Sequence, residues 1–99
     1  MNSTALVGRL VKEAVVTAGE KEGAVFTLAV QGYGEKVDFI PCSAWGSSAT
    51  YIERNGKKGD LISLQGRLTT YKDKEGSFKM GVVANSLQIL AHAKVDKKE

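Results

Sequence analysis

Five side chains stand out for what they could bind: Tyr33, Phe39, Trp45, Arg67 and Tyr71. Phe39 and Trp45 sit at an even spacing in a strand-like run, Val37–Trp45, so both rings point to one face. The small apolar set Ile40, Cys42 and Ala44 takes the other face. Arg67 and Tyr71 share the face of a second run, Leu61–Tyr71, that Ile62, Leu64, Gly66 and Leu68 leave free. Tyr33 lies in the glycine-flanked loop just before the first run. Rings left in water cost free energy, so several on one face mark a binding surface. Lys36, Lys57, Lys58, Lys72, Lys74 and Lys79 add positive charge in the loops and turns around them.

Flat rings interleaved with cations suit unpaired nucleic acid. A base stacked on a ring is worth ~1–3 kcal/mol, and each phosphate attracts a cation. Stacking ignores base identity, so sequence preference is expected to be weak, and salt is expected to oppose binding by competing for the phosphates. Each residue taken singly has an ordinary explanation. Trp45 could cap a barrel end, Phe39 could pack at a subunit contact, and Tyr33 and Tyr71 could be half-exposed loop residues. Arg67 could pair with Asp60 or Glu53, and the lysines could be a solvated surface. Their coincidence on one face favours the binding reading.

Catalysis finds little support. Cys42 is the only cysteine and His92 the only histidine, and they are far apart in the sequence. No disulfide can form within the chain, no residues have metal-ligand spacing, and Cys42 reads as a small buried thiol. Asp38, Asp60 and Asp73 fall at strand ends and a turn rather than in a group, so a nuclease lacks its carboxylates. No cofactor or metal is expected. The net charge of +3 is a mild basic bias that supports an acidic partner only weakly. The start, Met1-Asn2-Ser3-Thr4, lacks the basic and apolar segments of a signal peptide. No apolar stretch reaches the roughly 20 residues of a membrane span, so a cytoplasmic protein is expected.

Period-2 patterning supplies the elements that must position these residues. Ninety-nine residues fit one domain. Ala5–Lys12 reads as a strand with Leu6, Gly8 and Leu10 on one face, and Gly8 implies a bend or a close backbone approach. Thr17 to Gly23 reads as a loop. A second strand, Ala24–Gln31, puts Phe26, Leu28 and Val30 on the core face. Val37–Trp45 is the third strand, and Pro41 within it implies an edge or a gap in the pairing. A helix of about two turns follows, with Ser47 or Ser48 as its cap and Gly56 as its left-handed stop, and it could plug a barrel end. Leu61–Tyr71 is the fourth strand and Lys72–Gly76 a hairpin turn. The fifth strand, Phe78 to about Leu90, has Met80, Val82 and Ala84 on one side. Five strands with one short helix between strands three and four is the all-β layout of an OB-fold barrel, here over residues 1–91. Residues 92–99 read as a polar, mobile tail. Gly32-Tyr33-Gly34 lacks the helix of a phosphate loop, and Gly56-Lys57-Lys58-Gly59 reads better as a helix stop than as a backbone clamp.

The segments LVGRL at Leu6–Leu10, FTLAV at Phe26–Val30, DFIPCSAWG at Asp38–Gly46, KKGDLISLQGRL at Lys57–Leu68 and FKMGVVANSLQIL at Phe78–Leu90 resemble bacterial and phage single-stranded DNA-binding proteins. The resemblance runs from Met1 to about Leu90. It implies stacking of bases on Tyr33, Phe39, Trp45 and Tyr71 and a preference for DNA. Better-known members carry tryptophan at most of these positions, whereas here only Trp45 does. It further implies a role in coating unpaired DNA during replication, recombination and repair. A homotetramer is the favoured assembly and a dimer the lesser one, with the first strand helping to pair subunits. The short lysine-rich end, without the acidic tip of cellular members, fits a truncated or phage-type form without tail-mediated recruitment of replication enzymes. A primosome-type OB-fold adaptor, acting mainly through protein contacts, is the alternative.

Overall fold

The computed structural model describes residues 1–17 and 23–93. Six strands and one helix occur among them: β1 Thr4–Leu10, β2 Val15–Thr17, β3 Gly23–Gln31, β4 Val37–Trp45, α1 Gly46–Asn55, β5 Leu61–Lys72 and β6 Phe78–Ala91. They form one sheet in the order β1-β5-β6-β4-β3-β2, and pairing of β1 with β3 closes it into a five-stranded barrel. This is the OB-type layout, with β2 an added short strand along β3. Three residues are too few to show a period, so the pattern did not reveal β2. Thr17 and Gly23 end strands rather than lying in a loop, and the residues between them, 18–22, lie outside the described ones.

The core is the inward face of the five barrel strands. Leu10, Leu28, Ile52, Ile62, Leu64 and Val82 are fully buried, with Phe26, Cys42 and Ala44 beside them. The barrel closes tightly at Gly8, where a Cβ would lie 2.7 Å from the Ala29 carbonyl oxygen. β1 ends at Leu10 instead of continuing to Lys12, and the Val11 N–H is donated to Thr27. Pro41 is not on an edge: β4 lies between β3 and β6, and its short parallel pairing with β6 starts one residue later, at Cys42. Leu68, grouped by pattern with Ile62 and Leu64, and Met80, grouped with Val82 and Ala84, are exposed where those partners are buried, because the β5–β6 hairpin runs past the end of the barrel. The pairing jumps from Gln65–Ser86 to Gly66–Ala84, so Asn85 bulges out and the alternation along β6 changes phase.

Helix α1 buries Ala49 and Ile52 against the barrel, and the Tyr51 hydroxyl accepts the Ile89 N–H at 3.1 Å. No serine caps it. Trp45 occupies the N-cap position without a side-chain hydrogen bond, and Gly46 makes the turn at φ +62°. Gly56 is extended, with φ −82°, so the left-handed residue of this turn is Gly59 at φ +89°. Beyond it, buried Asp60 joins three segments. Its carboxylate accepts the Lys57 N–H at 2.9 Å and the Ala93 N–H at 2.8 Å, and Nδ1 of His92 lies 2.9 Å away. Burial alone would raise the Asp60 pKa, but these partners outweigh it and hold the carboxyl below its usual value. Asp60 therefore does not pair with Arg67. His92 and Ala93 are tied to the barrel, and 94–99, the rest of the expected tail, lie outside the described residues.

Candidate nucleic-acid interface

Three parts of the chain line an open groove of about 630 Å³. The outward faces of β3 and β4 contribute Val25, Thr27, Pro41 and Ser43. The β1–β2 connection and the start of β2 contribute Lys12, Glu13 and Val15, and the barrel-side end of the β5–β6 hairpin contributes Thr69, Tyr71 and Gly81. The strand alternation puts Phe39 and Trp45 on the same β4 face as Pro41 and Ser43, one at each end of that row, about 20 Å apart at the extended-strand rise. Trp45 stands opposite Gly23 on β3, where a Cβ would overlap the indole ring, so the missing side chain lets the ring lie across the sheet. Tyr71 owes its position to a second glycine. A Cβ on Gly81 would lie 3.2 Å from the Pro41 carbonyl oxygen and 3.5 Å from Cε1 of Tyr71. Gly81 thus lets β6 approach β4 and brings the Tyr71 ring to the groove.

Tyr33, Phe39, Trp45 and Tyr71 are 98%, 65%, 47% and 47% exposed. Tyr71 lines the groove and Phe39 and Trp45 flank it. Tyr33 stands apart, at the tip of the β3–β4 turn, which Gly34 closes at φ +66° and Gln31 braces by donating to the Gly34 carbonyl at 2.8 Å. Arg67 is exposed on the β5 face of Thr69 and Tyr71, about 13 Å back along the strand. It does not line the groove and has no ion pair among the described residues.

The lysines divide. Lys36 lies at the β3–β4 turn, 4.0 Å from Asp38. Lys79 stands opposite Tyr71 and 3.9 Å from Asp73. Lys72 sits over the Phe78 ring, 5.2 Å from its centroid, and Lys74 is exposed in the turn. Lys57 and Lys58 lie at the other end of β5, off the groove. There the Lys58 N–H is donated to Glu13 at 3.3 Å. The N–H groups of Glu13 and Lys58 and the charges of Lys57 and Lys58 hold the Glu13 carboxyl below its usual pKa. Two residues escaped the sequence reading. Lys12, taken as the last residue of a strand, instead lines the groove, and Phe78, taken only as a strand start, is exposed. Cys42 reaches the groove floor, but burial pushes its thiol up to about 12 against a lowering hydrogen bond from Leu28, so it stays protonated and unreactive.

A sequence profile described as the single-strand binding protein family matches residues 1–90, the whole barrel. The chain belongs to the single-strand binding protein family. Among its relatives in that family is single-stranded DNA-binding protein 1 of Streptococcus pyogenes serotype M18. It is 37% identical over 102 residues, which cover 91% of this chain and 78% of the relative. Single-stranded DNA-binding protein 1 of Clostridium acetobutylicum is 37% identical over 103 residues, covering 91% and 94%. Single-stranded DNA-binding protein 2 of the same streptococcus is 35% identical, with 91% of this chain and 63% of the relative covered. Among the described residues no helix is long and apolar enough to cross a membrane.

Proposed function

We propose that this chain binds single-stranded DNA in the groove, without catalysing a reaction. Membership of a family named for single-strand binding, and relatives named as single-stranded DNA-binding proteins, support the ligand. The observation that carries the mechanism is the placing of Tyr71 on one groove bounded by Phe39 and Trp45. Bases stack on these rings, with Tyr33 extending the row beyond Phe39. Lys36, Lys72, Lys74, Lys79 and Arg67 neutralise phosphates, joined by Lys12 from the groove itself. Lys57 and Lys58 act at a distance, through the field near Glu13. In this reading the protein coats and protects unpaired DNA in the cytoplasm during replication, recombination and repair. It works as a homo-oligomer, with the tetramer favoured.

Trp45 is the only tryptophan, which makes the test direct. Unpaired oligonucleotide is expected to quench its emission, duplex of the same length to quench it far less, and rising salt to reverse the quenching. Unchanged emission, together with no shift of the strand in a gel, would overturn the proposal.

A further inference from the structure

Two ladders meet at the root of the β5–β6 hairpin. The β1–β5 pairing ends with Thr4 opposite Gly66, and past Leu68 β5 pairs only with β6 among the described residues. The same root is bent. The bulge of β6 at Asn85 falls beside the step from Gln65 to Gly66, and a bulge adds local twist. Gly66 lets β6 approach so closely that a Cβ would overlap the Val83 carbonyl. Such a joint has little of its own to fix the angle at which the hairpin leaves the barrel.

Asn2 spans it. Counting on from Thr4 and Gly66, residue 2 falls opposite Leu68. There a side chain takes the place of the backbone. Nδ2 of Asn2 donates to the Leu68 carbonyl at 2.7 Å, and Oδ1 accepts the Leu68 N–H at 2.9 Å. Both polar backbone groups of Leu68 therefore face away from β6, and by alternation those of Thr69 and Tyr71 face it. A carboxamide carries donor and acceptor side by side in one plane, so it holds Leu68 against rotation, which a single bond would not. Tyr71 lies three residues further on, roughly 10 Å along the strand, so a tilt of about 10° at Leu68 would carry its ring about 2 Å.

We infer that Asn2 is a positioning residue for DNA binding: its carboxamide sets the angle of the β5–β6 hairpin and with it the place of Tyr71 on the groove. The inference rests on the groove reading above. Asn2 lines no part of the groove, so its effect on DNA passes through the ring it places.

The test is a double-mutant cycle on the full chain, titrated with an unpaired oligonucleotide of roughly 16 nucleotides. Asn2→Ala is expected to weaken binding about fivefold, short of the loss for Tyr71→Ala, and to leave the salt slope unchanged because no phosphate contact goes. Asn2→Leu, which keeps the shape without donor or acceptor, is expected to do the same. In a Tyr71→Ala background neither change should weaken binding further, since the ring they misplace is gone. A residue that merely stabilised the fold would not show this dependence. Hydrogen exchange at the Thr69 and Tyr71 N–H groups should quicken in Asn2→Ala, while that of buried Leu28 and Ile62 holds. If Tyr71→Ala weakens binding and both Asn2 variants bind as the unaltered protein does, the inference is refuted and the groove stands. Weakening that persists in the Tyr71→Ala background, or a change of particle mass in light scattering, would give Asn2 another role and equally refute it. No loss of affinity in Tyr71→Ala would overturn the groove reading itself.

Discussion

The two ends of β5 carry similar lysine pairs put to different uses. Lys57 and Lys58 precede the strand; Lys72 and Lys74 follow its course into the hairpin turn. At the first end the pair's backbone N–H groups serve Asp60 and Glu13, and those carboxylates join the end of β1, the α1–β5 turn and the end of β6. At the second end the carboxylate of Asp73 stays within the hairpin, accepting the N–H groups of Glu75 and Ser77 at 2.9 Å and lying 3.9 Å from Lys79, and exposed rings stand nearby. A lysine pair closes the barrel where carboxylates receive its backbone N–H groups, and meets ligand where rings stand beside it. The first end should therefore govern stability and the second affinity.

The sharpest way to break that division is Asp60→Ala. It removes a buried acceptor from the Lys57 and Ala93 N–H groups, and lost hydrogen bonds to a charged group predict a destabilisation of about 3 kcal/mol. Thermal or urea melting checks it, while DNA affinity at a temperature where the variant is folded should be unchanged. The pH dependence has a definite sign. The folded carboxyl titrates below its usual 3.8, so its contribution is present above that value and lost as pH falls through the depressed one. Asp60→Asn should flatten this acid limb. A loss of affinity without a loss of stability would show that the closed end touches DNA.

The converse is Tyr71→Ala, alone and with Trp45→Ala. Both rings are about half exposed, so melting should move little. Each lost stacking contact predicts a weakening of ~1–3 kcal/mol, about tenfold for the first change and more for the pair. Titration with an unpaired oligonucleotide measures it. Affinity that survives the double change would favour lysine contacts, or a docking adaptor, over stacking.

These predictions depend on how the sequence and the fold divide the information. Alternation alone placed Phe39 and Trp45 on the outward face of β4 and Cys42 and Ala44 inward, because a strand buried on one side must alternate. It did not reveal that Gly81 lets Tyr71 reach the groove, since that depends on β6 passing close to Pro41. It set Leu68 on the face of Ile62 and Leu64, and Met80 on the side of Val82 and Ala84, but a period does not say where a hairpin outgrows its barrel and leaves both exposed. The helix signals misled for a related reason: the chain turns at Gly46 before either serine, and Gly56 is extended, its lack of a side chain answering instead to the close packing of Leu10 and Ile52, whose side-chain atoms a Cβ would approach to 3.1 and 2.9 Å. Charges were least legible. A lysine in the sequence does not say whether a carboxylate from another segment answers it, as Glu13 does by accepting the Lys58 N–H.

The smallest effect is also the most discriminating. Replacing Lys72 and Lys74 by alanine should reduce the salt slope of binding by about 1.4, the sum for two phosphate contacts on a single strand. Replacing Lys57 and Lys58 should reduce it by well under half as much, because neither lines the groove. Affinity should nevertheless fall slightly, since Glu13 lines the groove and would face the phosphates without the two charges that offset it. Adding Glu13→Gln to that double variant separates the two routes. If the lysines act through Glu13, the third change restores the affinity and leaves the slope where it was. If they bind phosphate directly, the lost slope is large from the start and Glu13→Gln recovers none of it, and the division between the two ends of β5 fails.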